Sequence, residues 1–144
     1  MALGQRLDGL DRKTYVLVGD GEIAEGQIWE AAMAASAFKA DNLVAIVDRN
    51  GLQANGKIKE RMDSGNIAAK FLSFGWHVIE IDGHNMEEIL TALDGADQVK
   101  GVPTVIVADT VKGKGLSFAE NVVSYHNGKL TDETYRQALA ELAV

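Results

Sequence analysis

The chain has 144 residues, of which 47% are hydrophobic and 24% charged, a balance and length that predict one globular domain. Its net charge of −7, with no basic cluster, argues against nucleic acid as a partner, and the lack of cysteine excludes disulfides and cysteine-based metal sites. No apolar run reaches the length of a membrane span and residues 1–6 lack the apolar core of a signal peptide, so we expect no membrane contact and a cytoplasmic location.

Apolar runs and helical segments alternate along the chain. The predicted strands are residues 15–18, 43–47, 77–81 and 104–107, and the predicted helices are residues 1–9, 26–40, 66–74, 86–93 and 131–142. Polar or glycine-containing stretches at 51–64 and 112–128 predict loops. This order predicts a doubly wound parallel sheet with helices on both faces, formed by residues 1–144 as a single α/β domain. Ligands of such sheets bind at the carboxyl ends of the strands.

The turn after the first predicted strand carries a carboxylate between two glycines, Gly19-Asp20-Gly21. Glycine permits a sharp turn and a close approach to a ligand, and a following helix start favours an anion such as phosphate. Residues 19–24 formally fit the dinucleotide fingerprint G-x-G-x-x-A, with Asp48 where a ribose-binding acid is expected. However, Asp20 would repel a pyrophosphate unless a divalent cation lay between them, and Mg²⁺ is usually held by carboxylates together with phosphates. NAD is therefore the last-ranked ligand.

Asn50 offers a second oxygen ligand for that cation, because it follows the second predicted strand. The carboxyl ends of parallel strands lie at one edge of a sheet, so we expect Asp20 and Asn50 to be close. An ordinary strand–turn–helix connection, with Asp20 capping the helix, remains the alternative from these residues alone. The presence of Asp20 and Asn50 at two strand ends favours a metal site over this alternative.

Gly19-Asp20-Gly21, followed about thirty positions later by Asn50, resembles the thiamine diphosphate motif. The run Gly-Asp-Gly-Glu-Ile-Ala-Glu-Gly-Gln-Ile-Trp-Glu-Ala-Ala at residues 19–32 resembles the transketolase family, and the resemblance covers nearly the whole chain. It implies thiamine diphosphate and Mg²⁺ as cofactors. The implied metal ligands are Asp20, Asn50 and the backbone carbonyl of Leu52, and the implied cofactor-binding residues are Gly19, Asp20, Gly21, Glu22, Asn50 and His126.

The resemblance also implies two catalytic residues. His126 matches a family histidine that touches the diphosphate and the substrate. Glu25 matches a glutamate near the dimer axis that links two cofactor sites, although it could equally be an acid stabilising the first turn of a helix. Lys112 either faces the substrate channel or is a solvated lysine. We expect His77 to be a packed strand residue and His84 to have a turn or capping role.

The family transfers a two-carbon ketol unit between sugar phosphates in the pentose phosphate pathway, and thiamine diphosphate carries the chemistry. The tail Leu142-Ala143-Val144 resembles the end of the amino-terminal subunit of a split transketolase, and the family's leading segment is missing. We therefore expect an incomplete diphosphate-binding domain that is inactive alone and forms a homodimer or a complex with a pyrimidine-domain subunit. A non-catalytic cofactor-binding or dimerisation module stays open. So does another thiamine diphosphate enzyme, such as a deoxyxylulose-phosphate synthase, although residues 25–30 argue against the latter.

The helix predicted around residues 28–38 is apolar on almost every side. One sheet in a small domain cannot cover every face of such a helix. A central helix under later segments is one interpretation, and a subunit interface is the one we favour.

Overall fold

Residues 1–142 are described by the computed structural model, and they form a parallel sheet of four strands with helices on both faces, as predicted. Ala143 and Val144, in the tail that resembles a split transketolase, lie outside the described residues. In chain order the elements are α1 (Ala2–Leu7), β1 (Thr14–Gly19), α2 (Gly26–Ala37), β2 (Leu43–Arg49), β3 (Leu52–Gln53), β4 (Gly56–Lys57), α3 (Ile58–Arg61), α4 (Ile67–Ser73), β5 (His77–Asp82), α5 (Met86–Gln98), β6 (Thr104–Asp109) and α6 (Asp132–Leu142).

The strand order is β1-β2-β6-β5, so β2 and β6 occupy the centre of the sheet. Both are continuous apolar runs, which is typical of parallel strands covered on both faces. Helices α2 and α4 pack on one face around Phe71 and Trp76. Helix α5 packs on the other face through Ala92 and Ala96. The indole N–H of Trp76 also donates to the carbonyl of Ala32 at 2.9 Å, which ties the start of β5 to α2.

The edge strand β1 is less covered than its continuous apolar run suggests. Strand β1 was expected to be buried, yet Tyr15, Val16 and Leu17 are 48%, 40% and 69% exposed. Strand β1 lies at the edge of the sheet, where it pairs only with β2. The prediction that His77 is a packed strand residue is also wrong, since it begins the other edge strand, β5, and is exposed.

Several element boundaries differ from the predicted ones for local reasons. The segment 51–64, predicted as a loop, contains the β3–β4 hairpin and α3. Helix α5 extends to Gln98 instead of ending at residue 93, because Ala96 packs on the sheet and offsets the cost of about 1 kcal/mol for Gly95 within a helix. Helix α2 ends at Ala37, where Arg6 donates to the carbonyls of Phe38 and Lys39.

Side chains cap the first turns of α5 and α6. The Asn85 side chain accepts from two amides in the first turn of α5, at 3.1 and 3.4 Å, and the Thr131 hydroxyl accepts from the amide of Thr134 at 3.2 Å. Within residues 1–142, no helix has both the length and the hydropathy needed to cross a membrane.

Helix α2 has more apolar surface than the sheet covers. Ala32 and Ala35 are buried, whereas Met33 and Phe38 are 50% and 58% exposed and Ala34 is also exposed. This distribution agrees with the almost all-apolar pattern of the sequence. It leaves an uncovered apolar face on the side of α2 away from the sheet.

Candidate functional site

A cavity of about 510 Å³ lies at the carboxyl ends of β1 and β2. Its walls combine the turn after β1, the end of β2, the β3–β4 hairpin and two residues from the long loop after β6. Every predicted site residue except Glu25 lines it. The lining residues are Gly19, Asp20, Gly21, Glu22, Asp48, Asn50, Leu52, Gln53, Ala54, Asn55, Lys112 and His126.

Asp20 is a buried carboxylate with one oxygen left unsatisfied. The residue is 4% exposed, and its Oδ2 accepts a hydrogen bond from the amide of Gly51 at 2.7 Å. Its Oδ1 is buried and has no hydrogen-bond partner among the described residues. Burial raises the pKa of Asp20 above its usual range, and the nearby Asp48 raises it further, while the Gly51 hydrogen bond opposes both effects. A cation at Oδ1 would satisfy this oxygen and favour the ionised carboxylate.

The end of β2 presents oxygen atoms to the same cavity. The Oδ1 of Asn50 accepts from the amide of Leu52 at 3.0 Å, which closes a tight turn over Gly51. Gly51 has φ +75°, a left-handed conformation that favours glycine. Asp20 bonds to the amide of this same Gly51, so the two predicted side-chain ligands are held on either side of one turn. Asp20, Asn50 and Leu52 therefore lie together, as the sequence predicted.

Different physical constraints account for the two glycines on either side of Asp20. A Cβ on Gly21 would lie 3.0 Å from the Cβ of Gln53, so a larger residue there would crowd the hairpin. A Cβ on Gly19 would meet no protein atom within 4 Å, although Gly19 lines the cavity. Packing within the chain therefore does not explain Gly19, whereas a ligand lying against the backbone would.

A short 3₁₀ turn, Glu22–Ala24, separates Gly21 from the next helix. Helix α2 begins at Gly26, where the sequence predicted it. The Glu22 carboxylate accepts from the amide of Gly19 at 3.3 Å. The Gly19 amide therefore already has a hydrogen-bond acceptor, the Glu22 carboxylate at the cavity wall.

Glu25 stands apart from the other predicted site residues. It occupies the N-cap position of α2 without a side-chain capping bond, and it is exposed. Its carboxylate accepts from the amide group of Gln27 at 2.5 Å. The structure therefore does not bring Glu25 into the cavity of this chain.

His126 and Lys112 line the same cavity from the loop between β6 and α6. His126 is the last residue of a 3₁₀ turn, Val123–His126, and Lys112 lies at the start of the loop. They are the basic groups that face the carboxylates of Asp20, Glu22 and Asp48.

Three lining residues of the hairpin, Gln53, Ala54 and Asn55, were not predicted as site residues. The strands pair Leu52 with Lys57 and Gln53 with Gly56, which leaves a two-residue connection. Asn55 and Gly56 are residue types that favour turns, so the sequence did contain a turn signal at this position.

The strand ends beside the cavity are cross-braced. The hydroxyl of Thr110 donates to the carboxylate of Asp48, which lines the cavity. Arg49 makes a bidentate ion pair with Asp109 and a further bond to Glu80 at 3.0 Å. These hydrogen bonds hold the pKa of Asp109 below, and that of Arg49 above, their usual values. The ends of β2, β5 and β6 are thus joined to one another.

The donor set suits a hard cation accompanied by phosphate. Within residues 1–142, no group of three or more His, Cys, Asp or Glu side chains is placed to hold a metal alone. Mg²⁺ does not require such a group, because it keeps several waters and takes phosphate oxygens beside one or two protein ligands. The unsatisfied oxygen of Asp20 and the open space at Gly19 fit a metal-bound diphosphate.

Comparisons with known proteins agree on one family. The family model described as "Transketolase, thiamine diphosphate binding domain" matches residues 4–143. The 6-deoxy-6-sulfo-D-fructose transketolase subunit SqwG of Clostridium sp. (strain MSTE9) is 45% identical over 99% of this chain and 52% of its own length. A subunit of the apulose-4-phosphate transketolase of Phocaeicola vulgatus is 43% identical over 99% of this chain and 51% of its own length. The chain thus spans about half the length of these curated relatives.

Solved structures give the same result for the fold. The crystal structure of transketolase from Campylobacter jejuni superposes with a TM-score of 0.88 at 32% identity. That similarity covers 97% of this chain and 22% of the transketolase chain.

Proposed function

The chain belongs to the transketolase family as a thiamine diphosphate binding domain, and on that premise we propose that its cavity holds thiamine diphosphate through a Mg²⁺ ion. The observation that carries this proposal is the buried, unpartnered Oδ1 of Asp20 in the cavity wall. A buried carboxylate oxygen without a partner is costly, and a divalent cation compensates that cost.

The proposed metal ligands are the side chains of Asp20 and Asn50 and the backbone carbonyl of Leu52. Asp20 and Asn50 are held by the Gly51 turn, so this pair is preorganised before any ligand binds. The metal is needed because the wall is acidic: Asp20, Glu22 and Asp48 would repel an anionic cofactor. The net charge of −7 provides no general positive field to replace it.

The proposed contacts to the diphosphate come from Gly19, Gly21, Glu22 and His126. Gly19 leaves open space for close approach of the ligand. Glu22 would act by orienting the turn, since its carboxylate already bonds to the Gly19 amide and cannot attract an anion itself. His126, which lines the cavity, would supply a ring N–H donor.

When bound, thiamine diphosphate supplies a thiazolium carbon that acts as the nucleophile toward a ketose carbonyl. The residues of this chain would anchor and orient the cofactor, and His126 would in addition hydrogen bond to the substrate. Glu25 is exposed at the start of α2, so its proposed role is contact with a second cofactor site across a subunit interface.

The whole enzyme is proposed to transfer a two-carbon ketol unit between sugar phosphates, as in the pentose phosphate pathway. Two relatives are named as subunits of transketolases, and the chain spans about half of each. We therefore propose that this chain, as a partial diphosphate-binding domain, works with a pyrimidine-domain subunit.

A dimerisation or non-catalytic cofactor-binding module is the second candidate function. The exposed apolar residues of α2, including Met33 and Phe38, favour a subunit contact with or without turnover. A homodimer through this face would also bring the exposed Glu25 toward the contact, because Glu25 occupies the N-cap position of the same helix.

The decisive experiment is calorimetric titration of the chain with thiamine diphosphate, with Mg²⁺ and with chelator. Binding is expected only with Mg²⁺, and it should be lost in Asp20→Ala. Asp94→Ala, which removes an exposed carboxylate on α5, is the matched control and should bind normally. Equal binding with and without Mg²⁺ would contradict the proposal, and tight binding of NAD would favour the dinucleotide interpretation instead.

A further inference from the structure

A histidine outside the cavity holds the start of the loop that reaches it. His84 lies just beyond β5, and its Nε2 accepts a hydrogen bond from the backbone N–H of Val111 at 2.7 Å. Val111 directly precedes Lys112, which lines the cavity. A side chain 27 residues earlier in the chain thus fixes the point at which the loop leaves the sheet.

The position of His84 is itself fixed by close packing. Its backbone N–H donates to the carboxylate of Asp82 at 2.8 Å. The preceding residue, Gly83, donates to the carbonyl of Asp109 at 2.7 Å, and a Cβ on Gly83 would lie 2.5 Å from the methyl group of Thr110. Only a glycine therefore permits this approach between the ends of β5 and β6.

Contacts within the loop brace it beyond Val111, so a displacement at its start would be transmitted along the loop toward His126. The carbonyl of Lys112 accepts from the amide of Asn121 at 2.9 Å. Gly113 has φ +74°, and a Cβ there would lie 2.5 Å from the carbonyl oxygen of Ala119. Further along, the rings of Phe118 and Tyr125 pack with centroids 5.4 Å apart, next to His126.

We infer that His84 is a positioning residue, whose hydrogen bond to Val111 keeps Lys112 and His126 at the cavity. A ring nitrogen that accepts an N–H must carry a lone pair, so the proton of the neutral imidazole is on Nδ1. The role toward the cofactor rests on the proposed function, whereas the hydrogen bond and its tautomer do not.

Three variants of the full chain test this inference. His84→Leu removes the acceptor, and His84→Gln keeps an oxygen acceptor on a side chain of similar reach. His77→Leu is the matched control, because it makes the same change at an exposed histidine at the other end of β5. The measurements are the ring tautomer by ¹⁵N NMR, hydrogen exchange at the Val111 amide, and calorimetric affinity for thiamine diphosphate with Mg²⁺.

We expect an Nδ1-protonated ring at His84 in the unaltered chain. Loss of one hydrogen bond should speed exchange at Val111 by about three- to tenfold in His84→Leu and weaken cofactor affinity by a similar factor. His84→Gln should restore both values, and His77→Leu should change neither.

An Nε2-protonated ring, unchanged exchange at Val111 in His84→Leu, or a glutamine variant as impaired as the leucine variant would each overturn the inference. If the unaltered chain bound no cofactor, the proposed function would be refuted. The hydrogen bond from Val111 to His84 would then still be decided by the tautomer and by the Val111 exchange rate.

Discussion

Replacing Asp20 by asparagine is expected to stabilise the metal-free chain while it abolishes cofactor binding. An unsatisfied buried charged group costs about 1–3 kcal/mol or more, and the Oδ1 of Asp20 is such a group. Asparagine keeps an acceptor for the Gly51 amide but leaves its own NH₂ group unpartnered. We therefore expect a net gain of about 1 kcal/mol, which corresponds to about 2–4 °C in melting temperature for a chain of this size.

The pH dependence of this gain has a definite sign. Because burial raises the pKa of Asp20, the folded chain retains a proton that the unfolded chain releases. Protonated Asp20 contributes to the stability of the unaltered protein below the unfolded pKa. This contribution is lost as pH rises through the raised folded pKa. The asparagine side chain does not titrate, so the advantage of Asp20→Asn should be smallest in acid and full above that pKa. With Mg²⁺ and diphosphate bound, the unaltered chain should instead be more stable than Asp20→Asn, because the metal favours the ionised carboxylate.

Thermal unfolding in chelator, at points between about pH 3.5 and about pH 8, measures the gain from below the ordinary carboxyl pKa upward, and calorimetry measures cofactor binding. Asp94→Asn is the matched control, because it removes one exposed negative charge on α5. A metal-free Asp20→Asn chain that melts well below the unaltered one, or that binds thiamine diphosphate normally, would refute the reasoning.

Three further predictions concern packing, charge and assembly. Gly21→Ala should cost about 1 kcal/mol in thermal unfolding because its Cβ crowds the hairpin, whereas Gly19→Ala should leave stability unchanged and weaken cofactor binding. Asp109→Asn should cost at most about 1 kcal/mol near neutral pH, because its partner Arg49 is partly solvated, and the loss should vanish as pH falls through the lowered pKa of Asp109. Ala34→Glu, on the exposed face of α2, should reduce the assembly size in light scattering.

Each of these predictions has a result that would contradict it. Equal stability of the two glycine variants would show that the hairpin does not crowd residue 21. An Asp109→Asn deficit that persists in acid would exclude the ion pair as its cause. Thr91→Glu on the exposed surface of α5 is the control for Ala34→Glu, and a monomer insensitive to both would rule out the α2 contact.

The fold and most of the cavity could be predicted because both follow from local patterns. Four apolar runs alternate with helical segments, and parallel strands bring their carboxyl ends to one edge. Strands β1 and β2 are direct neighbours, with Gly19 paired to Asp48, so Asp20 and Asn50 had to be close. Their proximity needed no knowledge of side-chain packing.

Features that depend on neighbouring elements were not predictable in the same way. An apolar run such as Tyr15–Val18 predicts a buried strand, but sequence does not reveal that β1 lies at a sheet edge. The bond from Val111 to His84 joins two loops, and no periodicity signals such a pairing. Glu25 matches a family residue, yet its place outside the cavity depends on the 3₁₀ turn that precedes α2.

A polypeptide of these 144 residues is expected to bind thiamine diphosphate weakly and to give no ketol transfer on its own. The sheet and its helices use residues 14–109, and the remaining described residues, 110–142, form one loop and α6. Those are too few for a second domain, since domains rarely fall below about 50 residues. Acid–base help at the aminopyrimidine ring, which the resemblance assigns to a separate domain, contributes about 10²–10⁴-fold in rate, and orientation contributes more. Robust transfer between sugar phosphates by the purified chain would overturn the requirement for a partner, whereas activity that appears only when a pyrimidine-domain subunit is added would support it.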